Sequence, residues 1–184
     1  MGTSERIGIF GGSFNPPHNG HVGVCHYCFA QDLVDRILII PCWQHPYDKP
    51  MVPYNDRLAM CRLAVGGIAG VECSEVEREL GGVSHTVRTV RRLRERHPKS
   101  PLFILIGDDL EAETSLWKDV EAIRQEAEFL RMPRHAGSPI PNVSATDIRD
   151  SMAAGLSIAD LVPQAVAEYI AERGLFLRHL HSEG

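Results

Sequence analysis

Long apolar runs are missing from this 184-residue chain, and no stretch approaches the length needed to cross a bilayer. The amino terminus also lacks a basic-then-apolar leader pattern, so the protein is expected in the cytoplasm. Basic surplus is missing too. The net charge of −5 argues against general nucleic-acid binding, which usually shows the opposite sign. The five cysteines (Cys25, Cys28, Cys42, Cys61, Cys73) are odd in number and dispersed, so no disulfide framework is expected and they read as small buried hydrophobes. Repeats and low-complexity segments are absent. What remains is an ordinary soluble composition, 43% hydrophobic and 23% charged, in a chain long enough to bury a real core.

Short apolar runs at Arg6–Phe10, Val34–Pro41 and Leu102–Ile106 read as buried strands, with shorter strands at Val71–Cys73 and near Glu128–Met132. Helical patterns alternate with them. Val22, Cys25, Phe29 and Leu33 form one stripe between residues 19 and 33. Asn55 is placed to cap a helix to Val65, and Ser84 to cap one to His97 with Val87, Val90 and Leu93 inward. Glu75–Leu80 reads as an edge segment. The arginines of the helix after Ser84 read as a solvated face. Ser144 and Pro163 each open a further helix, the last closed by Gly174. This alternation predicts an α/β fold, a single Rossmann-like open parallel sheet with helices on both faces. One domain over 1–184 is expected, with a small helical part from about 144.

The densest chemistry lies in Gly11-Gly12-Ser13-Phe14-Asn15-Pro16-Pro17-His18-Asn19-Gly20-His21, directly after the first strand. Glycines let a ligand approach the backbone, a helix start presents free N–H groups, and imidazoles can donate to phosphate oxygens. The spacing is not the G-x-G-x-x-G of dinucleotide-dependent oxidoreductases. A zinc reading of His18, His21, Cys25 and Cys28 fails on distance. On one helix the outer pair would lie about 15 Å apart along the axis, whereas zinc ligands sit about 2.0–2.3 Å from the metal. A second cluster, Ser144-Ala145-Thr146-Asp147-Ile148-Arg149, pairs a helix cap with a cation near a helix end that is already partly positive; a bound polyphosphate would resolve that conflict.

These stretches resemble the nucleotidyltransferase superfamily that carries a His-x-Gly-His motif, and more narrowly the bacterial nicotinate-nucleotide adenylyltransferase family. The resemblance runs from Ile7 to Phe176. It implies that His18 contacts the reacting α-phosphate and that His21, with Arg149, completes the catalytic set. Gly11, Gly12, Ser13, Phe14, Arg134, Ser144 and Thr146 would join them around ATP. It further implies a nicotinate-nucleotide pocket of Lys49, Ser84, His85, Thr86, Asp109 and Trp117, the last ten residues beyond Gly107. Mg²⁺ would enter bound to ATP phosphates, with no protein metal site, and the family allows a homodimer. The implied reaction joins ATP to nicotinate mononucleotide. Nicotinamide mononucleotide, phosphopantetheine and a non-catalytic nucleotide sensor are the alternatives. Ala145, Lys118 and His85 depart from the family pattern, and only nine residues separate Arg134 from Ser144, where a longer loop is usual.

Overall fold

The computed structural model describes residues 4–108, 114–135 and 137–176. Five strands, β1 (Ile7–Gly12), β2 (Arg36–Pro41), β3 (Val71–Cys73), β4 (Leu102–Gly107) and β5 (Glu128–Met132), form one sheet in the order β3-β2-β1-β4-β5. All four pairings are parallel. Among the described residues the helices are α1 (Asn19–Ala30), α2 (Tyr54–Val65), α3 (Val76–Leu80), α4 (Thr86–Arg96), α5 (Val120–Glu126), α6 (Ala145–Ala153) and α7 (Gln164–Arg173). This is the expected Rossmann-like architecture.

Alternation along the strands sends side chains to two apolar layers. Ile7, Ile9, Leu38 and Ile40 meet Val87, Val90 and Leu93 of α4 and Ile123 of α5. Ile37, Ile39 and Leu105 meet Val24, Cys25 and Cys28 of α1 and Cys61 and Val65 of α2. A third cluster packs Met60 of α2 against Ile148 of α6 and Val166 and Ile170 of α7. Asp56 anchors that side as well, accepting from Tyr169 Oη at 2.8 Å and Arg173 Nε at 3.2 Å.

Several local expectations shift. Glu75–Leu80 is not an edge segment, because Val76–Leu80 is a short helix. The inward side of α1 is Gly20, Val24, Cys25 and Cys28, while Val22 and Phe29 are only half-buried. Helix α2 starts at Tyr54 on Pro53 rather than on an Asn55 cap. Proline brings the extended entry its fixed φ supports and has no N–H to satisfy. Ser84 does not cap α4. Its Oγ instead accepts the N–H groups of Trp43 at 3.0 Å and Gln44 at 3.2 Å. Two arginines of α4 also turn inward: Arg88 donates to the carbonyls of Gly81 and Val83, each at 2.8 Å, and Arg94 donates to that of Ser100 at 2.7 Å.

The fold's functional consequence lies between β1 and β4. Their pairing covers Ile7–Ile9 against Leu102–Ile104, whereas β1 stays paired with β2 to Gly12. Beyond Ile9 the carboxyl ends of β1 and β4 part. Chain order also reverses there, which is where open α/β sheets leave a ligand crevice.

Candidate active site

The crevice holds a cavity of about 670 Å³. Its floor includes Ile9, Phe10 and Ile104 to Gly107, and one end is built by the turn after β1. A Cβ added to Gly12 would come within 3.2 Å of the Phe14 ring, so glycine lets that ring pack directly beneath the backbone. Phe14 itself holds a left-handed φ of 46°, a strained conformation for a bulky residue. Burial to 3% exposure and edge packing on Phe10 (5.7 Å between centroids) hold it there.

His18 stands at the cap position of α1 and is 4% exposed. Its main-chain N–H donates to His21 Nδ1 at 3.1 Å, which leaves the proton of a neutral His21 on Nε2. The two rings stack with centroids 3.6 Å apart. Burial, reinforced by nearby Arg134, lowers His18 to about 3 and holds His21 well below its ordinary value. At neutral pH the pair is therefore uncharged. Among the described residues His18 Nδ1 is buried without a hydrogen-bond partner, an orphan that a ligand could satisfy. Gly20 fits beneath it, since a Cβ there would lie 3.0 Å from that nitrogen and 2.9 Å from the Pro141 carbonyl.

Opposite stands the start of α6. Ser144 Oγ accepts the Asp147 N–H at 3.1 Å, as a cap should, and lies 2.7 Å from Asp147 Oδ2. Arg149 reaches out of α6 to the β1 turn, donating to the Asn15 carbonyl at 2.8 Å and to Thr146 Oγ1 at 3.0 Å. Arg134 lines the cavity between the two sides. Its N–H donates to Asp108 Oδ1 at 3.0 Å and its Nη2 to the Val143 carbonyl at 3.2 Å.

At the other end, Lys49, Ser84, His85, Thr86, Trp117 and Lys118 all line the same cavity. Trp117 is half-buried, with its ring 5.8 Å from Phe129 and its body against the core.

Comparisons with known proteins identify the family. The cytidylyltransferase-like family profile matches residues 9–151. A curated relative from Anaeromyxobacter dehalogenans, named "Probable nicotinate-nucleotide adenylyltransferase", is 34% identical over 96% of this chain and 99% of its own length. One of the same name from Myxococcus xanthus is 37% identical over 96% of this chain and 97% of its own. The chain belongs to the nicotinate-nucleotide adenylyltransferase family. Solved structures share its fold at lower identity. A candidate nicotinate-nucleotide adenylyltransferase from Vibrio parahaemolyticus superposes with a TM-score of 0.79 at 24% identity, covering 96% of this chain and 98% of that one. The Plasmodium falciparum nicotinic acid mononucleotide adenylyltransferase complexed with NaAD gives 0.78 at 16% identity, covering 94% and 97%.

The cavity thus gathers Gly11, Gly12, Ser13, His18, His21, Arg134, Lys49, Ser84, His85, Thr86 and Trp117, whereas Ser144, Thr146 and Arg149 stand outside its lining, with Arg149 bonded to the Asn15 carbonyl of the turn. Phe14 lies beneath the turn instead of facing the cavity. Asp109 falls outside the described residues. Residues not foreseen are His45, Tyr47, Glu77 and Thr89, which also line the cavity. Glu77 accepts the Trp43 N–H at 3.2 Å and the Thr89 hydroxyl at 3.0 Å. Reading its segment as an edge concealed it. Cys25 and Cys28 are fully buried, with Cys28 Sγ 3.5 Å from Met132 Sδ, and burial raises both thiols to about 12.

Proposed function

We infer that this protein transfers the adenylyl group of ATP to nicotinate mononucleotide, forming nicotinate adenine dinucleotide and pyrophosphate. The carrying observation is that one continuous cavity joins the neutral His18–His21 pair to the Trp117 end. That is the arrangement needed to hold a polyphosphate and a second nucleotide side by side. In the proposed reaction an oxygen of the acceptor 5′-phosphate attacks the α-phosphorus in line. The new P–O bond forms as the α–β bridge breaks, and pyrophosphate carries the electron pair away.

Protein side chains act here by position and charge, the usual division of labour in such transfers. His18 and the Nε2–H of His21 stabilise charge on the reacting phosphate without having to lose a proton. Arg149, Ser144, Thr146 and Arg134 hold the triphosphate, with Gly11, Gly12 and Ser13 letting it approach the turn. Lys49, Ser84, His85, Thr86, Asp109 and Trp117 receive the pyridine nucleotide, Trp117 by stacking. The donors at the turn are neutral N–H groups and guanidinium groups, suited to phosphate oxygens more than to a bare metal ion. Mg²⁺ is accordingly assigned to the ATP phosphates, where it neutralises charge on the leaving group. We further propose a single domain over 1–184 acting in the cytoplasm, with a homodimer as the assembly to test. No helix among the described residues is long and apolar enough to cross a membrane.

Pyrophosphate release from ATP, measured with nicotinate mononucleotide, nicotinamide mononucleotide or phosphopantetheine, tests the reading. Preference for the first is expected. Preference for another acceptor would reassign the substrate, and ATP binding without release would point to a sensor.

A further inference from the structure

Arg57 of α2 is only 1% exposed and heads the largest fully buried side chains among the described residues. Its guanidinium spreads over three carbonyls from three places in the chain. Nη1 donates to Ser13 at 2.9 Å, Nη2 to Cys42 at 2.7 Å and Nε to Val52 at 3.1 Å. The Tyr54 ring lies beside it, its centroid 5.5 Å from the guanidinium carbon. Among the described residues no carboxylate forms an ion pair with it, and burial draws its pKa down from the ordinary value. A buried cation with no carboxylate in direct contact is expensive. If only volume had to be filled, an apolar side chain would serve there.

The three carbonyls say what the charge is for. Ser13 belongs to the phosphate turn, while Cys42 and Val52 bracket the segment that carries His45, Tyr47 and Lys49 into the cavity. Asn15, 3% exposed, grips the same segment from the other side. Its Oδ1 accepts the Val52 N–H at 3.0 Å and its Nδ2 donates to the Pro50 carbonyl at 3.3 Å. Its own carbonyl receives Arg149. Val52 is thus held at its N–H by Asn15 and at its carbonyl by Arg57, and both holders also bind the phosphate side.

We propose that Arg57 is a positioning residue that locks segment 42–53 to the phosphate turn, so that ATP and the acceptor nucleotide bind with positive coupling. The proposal rests on the adenylyltransferase reading. A ligand that fixes the Ser13 turn fixes one arm of the guanidinium fork, and the other two arms then hold the acceptor segment. Coupling between two sites is reciprocal and commonly falls at about 5–150-fold.

Calorimetry of nicotinate mononucleotide with and without saturating α,β-methylene ATP reads the coupling directly. In the native protein the analogue should tighten acceptor binding at least about fivefold. In R57K the factor should fall below about twofold, because a lysine ammonium keeps the charge but not the planar three-way fork. In turnover, R57K should raise the acceptor KM more than the ATP KM. Equal coupling in native protein and folded R57K would overturn the proposal. Should R57K fail to fold, hydrogen exchange on the native chain decides it. The analogue alone should slow exchange at the Trp43, Gln44 and Val52 amides, and unchanged exchange there would defeat it. Native protein that turns over ATP and nicotinate mononucleotide but shows no coupling loses this inference alone, whereas native protein with no such turnover loses the enzymatic reading too.

Discussion

The two ends of the cavity are built differently. The end at the β1 turn centres on one unbroken stretch, β1 through the start of α1, with Phe14, Asn15 and His18 all nearly inaccessible. The end at Trp117 is assembled from three separate pieces, residues 42–53, 84–86 and 116–118, and its rim is open: Tyr47 is 77% exposed and Leu116 76%. Sequence-adjacent residues on a strand end and a helix cap hold their geometry through the backbone. Pieces brought from far apart hold theirs through a few contacts, such as Ser84 on Trp43 and Gln44. On the adenylyl-transfer reading proposed above, bond-making falls to the buried turn end and acceptor choice to the open one.

On that division, substitutions at the buried turn end should reduce rate and those at the open end should reduce acceptor affinity. His18→Ala should produce the largest effect, a fall in kcat of about 10²–10³, as for loss of one transition-state donor; full turnover in a folded variant would break the comparison. Arg149→Ala follows, with the ATP KM raised about 10–100-fold through loss of charge-assisted hydrogen bonds. Initial-rate kinetics that leave the ATP KM untouched would remove it from the site. At the open end, Trp117→Ala should raise the nicotinate-mononucleotide KM about 3–10-fold, the scale of one aromatic stacking contact, with a smaller change for ATP. Equal changes in both constants would dissolve the distinction.

A further effect is a slope in stability rather than a change in rate. His18 sits near 3 in the native protein against an ordinary 6.5, so between those values the unfolded chain binds more protons than the folded one. Stability therefore rises with pH across that window and is lost as pH falls below 6.5 toward 3. Denaturation midpoints of His18→Gln should show a shallower decline there than those of the native protein, and parallel declines would argue against a buried neutral imidazole.

Much of this was legible in the sequence for physical reasons. The strands β1, β2 and β4 are apolar runs because both sheet faces are covered, and the cap at Ser144 announces itself by residue type and spacing. Less was legible where tertiary contacts override local signals. Ser84 looks like a helix cap, yet its hydroxyl goes to the neighbouring segment. Of the α1 stripe Val22, Cys25, Phe29 and Leu33, only Cys25 is fully buried, and Val24 and Cys28 turn inward beside it. Arg57 gave no signal at all, since a lone arginine in an amphipathic helix ordinarily reads as surface and only the fold brings its three carbonyl partners together.

The central claim is adenylyl transfer, and isotope placement tests it most directly. With ATP labelled at the α-phosphorus and nicotinate mononucleotide as acceptor, the label should appear in the dinucleotide, one equivalent for each pyrophosphate released. Label remaining in ATP that is bound but unreacted, or appearing in a nucleotide diphosphate, would contradict the account.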